Sequence, residues 1–526
     1  MKTTSRILAL VLTLALALSL VVSVSAATTY TVDIDDTVSG YTYTAYKIFS
    51  GDLDTTGEKL SNITWGSGIT DAGKEALYTQ LGLTDSADKT AAKVAEKLSA
   101  YANKSDEIKA ISDIIGANLG TAAATDDYSD SAYQFTGLEA GYYFFQNTVV
   151  PSTGDMKSYT DFILEVVKDH TGVNAIEPKR GTSTVTKEVK DVNDSTDDDP
   201  VWGTSADHDI ADEVEFKLTG TLADNYADYK DYYYSFEDTM AHLTYVDGSV
   251  QVTVGTTDIT SWFTTTWNST DKKLTINCAD LKAKDTADDS VALTSTSTIV
   301  VTYKATLDSD AVIGVKGNVN SVDLTYSNNP NATGDGNTTK TPKETTTVFT
   351  FQLDVDKIAK TTSPAGYAAL TGAGFTLYKY DNSSSAFVAV GSEVAGVTSF
   401  AWKGIDAGTY KLVETTVPDG YNKMDDITFD VEATHDVNSV TALTVTADTG
   451  LIASPAGSTT TPLKVDDSTK TIAAGHIFGE IENKEGSTLP STGGAGTTML
   501  YVVGGILVVF AGVFLILRKR MEKAEK

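Results

Sequence analysis

The sequence is poor in two residue types that often define a protein's chemistry. Among its 526 residues there is a single cysteine, Cys278, which excludes an intramolecular disulfide framework. Cys278 lies in an alternating segment typical of a strand, and we predict that it is a small buried residue. The histidines are scattered and form no metal-binding or hydrolase motif, which argues against a hydrolase. They are His170, His208, His242, His435 and His476.

Positive charge is also scarce. Forty basic residues stand against 71 acidic ones, for a formal net charge of -31. This excess argues against binding of nucleic acid or anionic lipid and favours a soluble, exposed surface. The acidic run formed by Asp194 and 197–199 lacks the glycine and terminal glutamate of a calcium loop. We therefore predict a solvated acidic loop, no metal site and no cofactor.

Both ends of the chain carry targeting signals. Lys2 and Arg6 precede an apolar run and a small-residue site that ends at Ala26, which predicts a cleaved signal peptide over residues 1–26. Near the other end, the apolar run 499–517 is just long enough to span a bilayer, and a basic tail, 518–526, follows it. The segment Leu489-Pro490-Ser491-Thr492-Gly493 precedes this run. The arrangement presents that segment on the outer face of the membrane.

Between the two signals, the composition predicts an all-β protein. Short alternating runs rich in threonine, valine and tyrosine recur at about ten-residue spacing, as in β-sandwiches. Helical spacing is confined mainly to 71–119, which we interpret as a helical insertion. Polar stretches with proline or glycine set the boundaries. We predict three domains, at 27–176, 177–345 and 346–485, followed by a sorting segment at 486–526.

The third domain is predicted to direct three polar side chains into one apolar interior, because Lys357, Glu414 and Asn483 each continue the apolar face of a strand. The apolar residues at the same parity are Phe349, Phe351, Leu353 and Val355 for the lysine, Tyr410 and Leu412 for the glutamate, and Ile477 and Ile481 for the asparagine. Burial lowers the pKa of an amine and raises that of a carboxyl group. A neutral amine beside an amide, with a carboxyl group to move protons, can form an isopeptide bond and release ammonia. Parity alone favours the alternative, a Lys357–Glu414 ion pair with Asn483 as a turn residue.

Three segments carry a family resemblance. Leu353-Asp-Val-Asp-Lys357, residues 370–379 and residues 410–421 resemble Cna B-type immunoglobulin-like domains, and the last is similar to the E-box of sortase-assembled pilins. The resemblance implies a spontaneous Lys357–Asn483 isopeptide bond with Glu414 as catalyst. Lys360, on the opposite face, is the weaker candidate. The segment 489–493 similarly resembles the LPXTG cell-wall sorting signal of Gram-positive surface proteins, which implies sortase cleavage between Thr492 and Gly493.

The second domain offers a similar set of residues. Lys187 is inward by parity, and Asp238 shares a strand face with Tyr234 and Phe236. Parity does not choose among the candidate asparagines of the closing strand. Resemblance to the middle domain of backbone pilins favours Asn320 over Asn318 and Asn328. The same resemblance favours Asp238 over Asp212, with a purely structural role for Asp238 as the alternative.

The first domain and the following hinge complete the set of candidate sites. The opening strand of the first domain contains no lysine, so we predict no crosslink there. Glu177-Pro178-Lys179 follows in an extended, exposed hinge. It is similar to the pilin motif of backbone pilins, which makes Lys179 the amine that joins Thr492 of the preceding subunit. Glu177 and Arg180 depart from the commonest form of that motif.

Together these resemblances imply three tandem immunoglobulin-like β-sandwich domains in the shaft subunit of a covalent pilus. The implied partners are a pilin-specific sortase, identical subunits, minor pilins, peptidoglycan and host surface ligands. The chain is expected to be a sortase substrate and not an enzyme. The alternatives are a non-polymerising wall-anchored adhesin, a minor tip or basal pilin, and, least favoured, a wall-anchored hydrolase.

Overall fold

A computed structural model describes residues 28–36, 39–101, 106–128, 133–149, 158–178, 181–288, 290–330, 337–362, 364–447, 475–486 and 495–524. The predicted signal peptide, Lys179 and the 489–493 motif lie outside these residues. Strands dominate the described chain, as the alternating sequence predicts. We refer to residues 28–178, 181–349 and 351–486 as the first, second and third units, because each has its own buried core.

The first unit combines two sheets with three helices. One sheet pairs β1 with β5, and the other has the order β3-β2-β6-β7 with β4 beside β2. Phe145 faces the two-stranded sheet, whereas the adjacent Phe144 faces the helices, because successive strand residues point to opposite faces. The elements are β1 Thr29–Ile34, β2 Thr42–Leu53, β3 Leu60–Trp65, α1 Asp71–Gln80, α2 Ala91–Leu98, α3 Asp106–Ala117, β4 Ala124–Asp127, β5 Tyr133–Glu139, β6 Gly141–Val149 and β7 Asp161–Val166.

The three helices occupy the segments that have helical spacing in the sequence. Thr70 and Thr90 cap α1 and α2, each accepting a hydrogen bond from a backbone N–H three residues later. Leu77, Val94 and Ile115, one from each helix, are fully or almost fully buried against the sheet. The helices therefore cover one sheet face of the first unit.

The second unit is a sandwich of two sheets. Their strand orders are β10-β21-β19-β12-β17-β16, with β20 beside β19, and β15-β14-β18-β11-β8-β9, with β13 beside β18. Cys278 is buried on β17, as predicted. The elements are β8 Val185–Asp191, β9 Val201–Gly203, β10 Ser205–Asp207, β11 Glu213–Thr221, β12 Tyr234–Met240, β13 Leu243–Tyr245, β14 Gln251–Val254, β15 Thr257–Asp258, β16 Thr264–Asn268, β17 Lys273–Cys278, α4 Leu281–Ala287, β18 Thr298–Leu307, β19 Asn318–Ser327, β20 Thr338–Lys340 and β21 Glu344–Phe349.

The third unit is a second sandwich, followed by an apolar helix. One sheet has the order β23-β22-β27 with β31 parallel to β22, and the other has the order β25-β24-β28-β29-β30 with β26 beside β24. The helix contains a candidate membrane span, Met499–Lys519, with mean hydropathy 2.8. The elements are β22 Phe351–Thr362, β23 Ala365–Ala369, β24 Gly374–Asp381, β25 Ala386–Ala389, β26 Val394–Ala395, β27 Ser399–Ile405, β28 Gly408–Thr416, β29 Ile427–His435, β30 Val440–Ala447, β31 His476–Asn483 and α5 Ala495–Ala524.

The predicted start of the third domain, at 346, falls within a strand of the second unit. Residues 344–349 form β21, which pairs with β19 and β10 in a sheet of the second unit. The side chain of Phe349, however, packs in the core of the third unit. The apolar alternation continues through this point. The sequence therefore does not indicate the residue at which the chain leaves the sheet of the second unit and enters the third unit.

A partly buried charge cluster joins the second and third units. The Lys379 ammonium on β24 lies 2.8 Å from Asp209, 2.7 Å from Asp406 and 3.1 Å from Asp194. Burial alone lowers the pKa of Lys379, but the carboxylates outweigh this effect and raise it. Asp194, predicted to lie in a solvated loop, therefore contributes an ion pair to the junction. Gly404, with φ +75°, is required nearby, since a Cβ there would lie 2.3 Å from Ile210 Cδ1.

Substitution of Lys379 by methionine is expected to destabilise the junction. The change leaves the almost fully buried Asp406 without its cation, which costs about 3 kcal/mol. Scanning calorimetry should therefore show a lower unfolding temperature for Lys379→Met than for the wild type. Lys403→Met, at an exposed position on β27, is the matched control. Equal stability of the two variants would contradict a role for this cluster in holding the units together.

Candidate functional site

The third unit brings Lys357, Glu414 and Asn483 together in its core. Lys357 lies on β22 and Asn483 on the adjacent parallel strand β31, where Asn483 pairs with Ala359, two residues beyond the lysine. Glu414 projects from β28 of the facing sheet. The lysine and the glutamate are 0% exposed and the asparagine is 2% exposed. All three side chains therefore point into one core.

The contacts in this cluster orient the amine toward the amide. Lys357 Nζ donates a hydrogen bond to Asn483 Oδ1 and lies 3.7 Å from Glu414 Oε1. Asn483 Nδ2 donates to the same glutamate oxygen at 2.8 Å. The other carboxylate oxygen accepts a bond of 2.9 Å from the backbone N–H of Met424. One carboxylate oxygen is thus held by the backbone, while the other touches both groups that would react.

The surroundings shift the protonation equilibrium of Lys357 toward the neutral amine. Burial lowers the pKa of Lys357 to about 8, although the nearby charge of Glu414 opposes this change. The ammonium position lies 5.3 Å from the centre of the Phe375 ring. At neutral pH roughly a tenth of the amine is uncharged, a far larger fraction than for an exposed lysine. The geometry supports Lys357 as the nucleophile. Lys360, the weaker candidate, is exposed and points away from the cluster.

The second unit holds a corresponding cluster that is divided between its two sheets. Lys187 lies on β8 of one sheet, and Asp238 and Asn320 lie on the neighbouring strands β12 and β19 of the other. The lysine is 3% exposed, and the two others are 0% exposed. Lys187 Nζ donates a hydrogen bond to Asp238 Oδ2. Burial lowers the pKa of Lys187 and raises that of Asp238, despite their attraction.

A fourth residue of this cluster escaped the sequence analysis. The Tyr303 hydroxyl on β18 lies 3.0 Å from Lys187 Nζ, 2.8 Å from Asp238 Oδ2 and 2.8 Å from Asn320 Nδ2. The signal was present, since Tyr303 shares the inward parity of Ile299, Val301, Ala305 and Leu307. It was missed because tyrosine in an apolar run resembles an ordinary core residue.

The alternative residues of the second unit lie elsewhere. Asn318 is held by backbone groups. Its Oδ1 accepts a hydrogen bond from the Val312 N–H, and its Nδ2 donates to the carbonyl oxygens of Val312 and Val348. Asp212 is partly exposed and lies 3.7 Å from His208. The buried Oδ1 of Asn328 has no hydrogen-bond partner among the described residues, Lys187 included. The geometry therefore favours Asn320 and Asp238.

The first unit contains a lysine–carboxylate pair of a different kind. Lys47 on β2 pairs with Glu139 at 2.9 Å, but that glutamate side chain is 63% exposed. This contact is a surface ion pair and not a buried cluster. Lys179 and the 489–493 motif lie outside the described residues, so their roles stay predictions.

Two family models match this chain, one in the third unit and one near the C-terminus. Residues 352–446 match the SpaA family of prealbumin-like fold domains, and residues 481–523 match the LPXTG cell wall anchor motif. The third unit is thus a prealbumin-like β-sandwich, and the C-terminal match fits a cell-wall-anchored surface protein whose precursor is held transiently in the membrane. These features define a wall-anchored surface protein built from tandem β-sandwich units.

The chain also resembles a curated surface protein and a solved backbone pilin. The chain is 25% identical over 278 residues to the trypsin-resistant surface T6 protein of Streptococcus pyogenes, which covers 42% of this chain and 48% of the relative. The match thus spans about half the length of that curated protein. The chain is also similar in fold to the solved T6 backbone pilin of serotype M6 Streptococcus pyogenes, with a TM-score of 0.50 and 16% identity, over 88% of this chain and 100% of that chain.

The lowered pKa of Lys357 predicts a pH-dependent stability. Asn483→Ala removes the amide and keeps Lys357 as a free buried amine. Between its folded pKa of about 8 and its ordinary value of 10.5, the unfolded chain binds more protons than the folded one. The free energy of unfolding of the third unit should therefore rise across this range, by on the order of 3 kcal/mol.

Urea denaturation at several pH values measures this dependence. The double variant Asn483→Ala/Lys357→Met lacks the titrating amine and should lose the rise. The same pH slope in the single and double variants would show that Lys357 does not titrate with a lowered pKa.

Proposed function

We propose that this chain is the shaft subunit of a sortase-assembled pilus on a Gram-positive cell. The observation that carries the proposal is the recurrence of a buried lysine–carboxyl–asparagine cluster in two successive β-sandwich units of a chain that ends in a cell-wall anchor motif. Burial of a lysine beside an amide costs free energy, and ionisable groups buried in this way are concentrated at functional sites. Two such clusters in series suit a protein that bears force along its length.

The proposed internal reaction is the same in both units. The lysine nitrogen attacks the side-chain carbonyl carbon of asparagine, the carbon–nitrogen bond of the amide breaks, and ammonia leaves. The carboxyl group takes a proton from the amine and returns one to the leaving nitrogen. In the third unit Glu414 Oε1 contacts both nitrogens, as this proton transfer requires.

The proposed bonds would close long loops. Lys357 and Asn483 are 126 residues apart, on the first and last described strands of the third unit. A covalent bond across this span lowers the conformational entropy of the unfolded chain, which stabilises the folded unit by about 4–5 kcal/mol. Force entering at one end of the unit would then pass directly to the other end.

Assembly would use the two signals that lie outside the described residues. A sortase cysteine would attack the Thr492 carbonyl carbon, release the Gly493 amine and form a thioester. The Lys179 amine of the next subunit would displace the cysteine, and a peptidoglycan amine would end the chain. Identical subunits, minor pilins and peptidoglycan are the proposed partners, with adhesion to host surface ligands as a consequence of shaft length. We propose no enzymatic role beyond the internal crosslinking.

Two other functions are compatible with the same domains and anchor. A wall-anchored adhesin or a minor pilin would also gain from internal crosslinks. Neither requires Lys179 as an acceptor, so polymerisation through that residue separates the shaft from both.

The proposal predicts a ladder of covalent polymers that depends on Lys179. Wall protein released with a muramidase should give a boiling-resistant ladder on a denaturing gel, and Lys179→Ala should reduce it to monomer. Lys168→Ala, which removes an exposed lysine close to the hinge, is the matched control and should keep the ladder. A single wall-linked band from the wild-type chain would contradict the shaft proposal and leave a monomeric surface protein.

A second prediction concerns the internal bond of the third unit. Glu414→Gln keeps the size of the side chain and removes its proton-carrying carboxylate, so the bond should fail to form. The third unit should then unfold at a lower temperature and be cleaved by trypsin, as expected for the loss of about 4–5 kcal/mol.

Glu432→Gln, at an exposed position on β29, is the control and should stay resistant. Trypsin resistance of Glu414→Gln equal to that of the control would exclude Glu414 as the catalyst.

A further inference from the structure

The Tyr303 hydroxyl lies at the centre of the second-unit cluster. It donates to Asp238 Oδ2 at 2.8 Å and accepts from Lys187 Nζ at 3.0 Å and from Asn320 Nδ2 at 2.8 Å. A phenol offers one donor and two acceptor positions, so its capacity is filled by the three groups of the proposed reaction. This tyrosine is 1% exposed, and within the described ranges its hydroxyl hydrogen-bonds to these three groups alone.

The third unit shows what this hydroxyl replaces. There, Asn483 Nδ2 donates directly to Glu414 Oε1 at 2.8 Å, so the carboxylate touches the nitrogen that would leave. In the second unit the acid is aspartate, one methylene shorter, and Asn320 Nδ2 donates to Tyr303 instead of to Asp238. The phenol oxygen thus occupies the gap between the shorter acid and the amide.

The tyrosine is also held rigidly. Its ring stacks on Phe216 with centroids 5.3 Å apart and an interplanar angle of 18°. Burial and the nearby Asp238 charge raise the pKa of the phenol, so it stays protonated at neutral pH. A fixed, protonated hydroxyl can pass a proton on while receiving another, without itself becoming charged.

We propose that Tyr303 is a catalytic residue of the second-unit crosslinking reaction, relaying a proton from Asp238 to the departing nitrogen of Asn320. The inference rests on the proposed Lys187–Asn320 bond. It assigns the second unit a four-residue mechanism, whereas three residues suffice in the third unit.

The steps balance in atoms and charge. The Lys187 ammonium gives a proton to the Asp238 carboxylate, and the neutral amine attacks the Asn320 side-chain carbon. Tyr303 then gives its proton to Asn320 Nδ2 and takes the one that Asp238 holds. The bond from carbon to Nδ2 breaks and ammonia leaves. The new amide nitrogen loses its extra proton to Asp238, which ends as a neutral acid.

Bond formation in Tyr303→Phe tests this proposal. After pulsed expression of the full chain, samples are denatured at intervals, digested and examined by mass spectrometry for the joined peptide of Lys187 and Asn320. Loss of a proton-transfer group slows such reactions by about 100-fold. The joined peptide of Lys357 and Asn483 should form at the wild-type rate and serves as an internal standard.

Two further variants separate chemistry from packing. Tyr226→Phe removes another buried hydroxyl of the same core, one without a hydrogen-bond partner among the described residues, and should leave the rate unchanged. Asp238→Glu/Tyr303→Phe supplies a longer acid that can reach the amide as Glu414 does in the third unit. This double variant should form the bond at least about tenfold faster than Tyr303→Phe alone.

The outcomes are distinct. Slowing in Tyr303→Phe with recovery in the double variant supports the relay. Formation of the joined peptide at the wild-type rate in Tyr303→Phe overturns it, and so does equal slowing in Tyr226→Phe, which would indicate a packing effect. Absence of the Lys187–Asn320 peptide from the wild-type chain overturns the second-unit bond itself, while the third-unit peptide reports separately on the proposed function.

Discussion

The structure depends on the burial of a lysine amine in an apolar core. An ammonium group removed from water loses several kcal/mol of hydration, and a single carboxylate partner recovers this only in part. Lys187 and Lys357 bear this penalty in successive units, and burial lowers the pKa of both. Each amine is thereby brought closer to its reactive neutral form. The same burial that weakens the unbonded fold would thus drive the covalent bond that replaces the missing stability.

The two clusters solve this problem with different strand arrangements. In the third unit the lysine and the asparagine lie on adjacent parallel strands, and the acid reaches across from the facing sheet. In the second unit the lysine reaches across, and the acid and the asparagine are neighbours. The shared feature is therefore the local chemistry and not the topology. The junction between these units adds a different kind of contact, the non-covalent cluster around Lys379, which would limit rotation of one unit against the other.

Strand parity predicted much of this arrangement because a two-residue period leaves only two faces to choose from. It identified Lys187, Lys357 and Glu414 as inward residues, and family resemblance then selected Asn320 from three candidates of similar appearance. Parity failed where the choice was not between faces. It gave no signal at Phe349, where the chain passes from a sheet of the second unit to the third unit. It also gave none for the ion pair of Asp194 with Lys379, which joins residues far apart in sequence. Tyr303 was hidden because its ring belongs to the core and only its hydroxyl to the chemistry.

The most direct test is to map the crosslinks in the folded wild-type chain. Digestion followed by tandem mass spectrometry should yield two branched peptides, one joining Lys187 to Asn320 and one joining Lys357 to Asn483, each lighter than its two parts by one ammonia. Recovery of all four residues in separate, unmodified linear peptides would contradict the account, because the buried clusters would then be ordinary ion pairs.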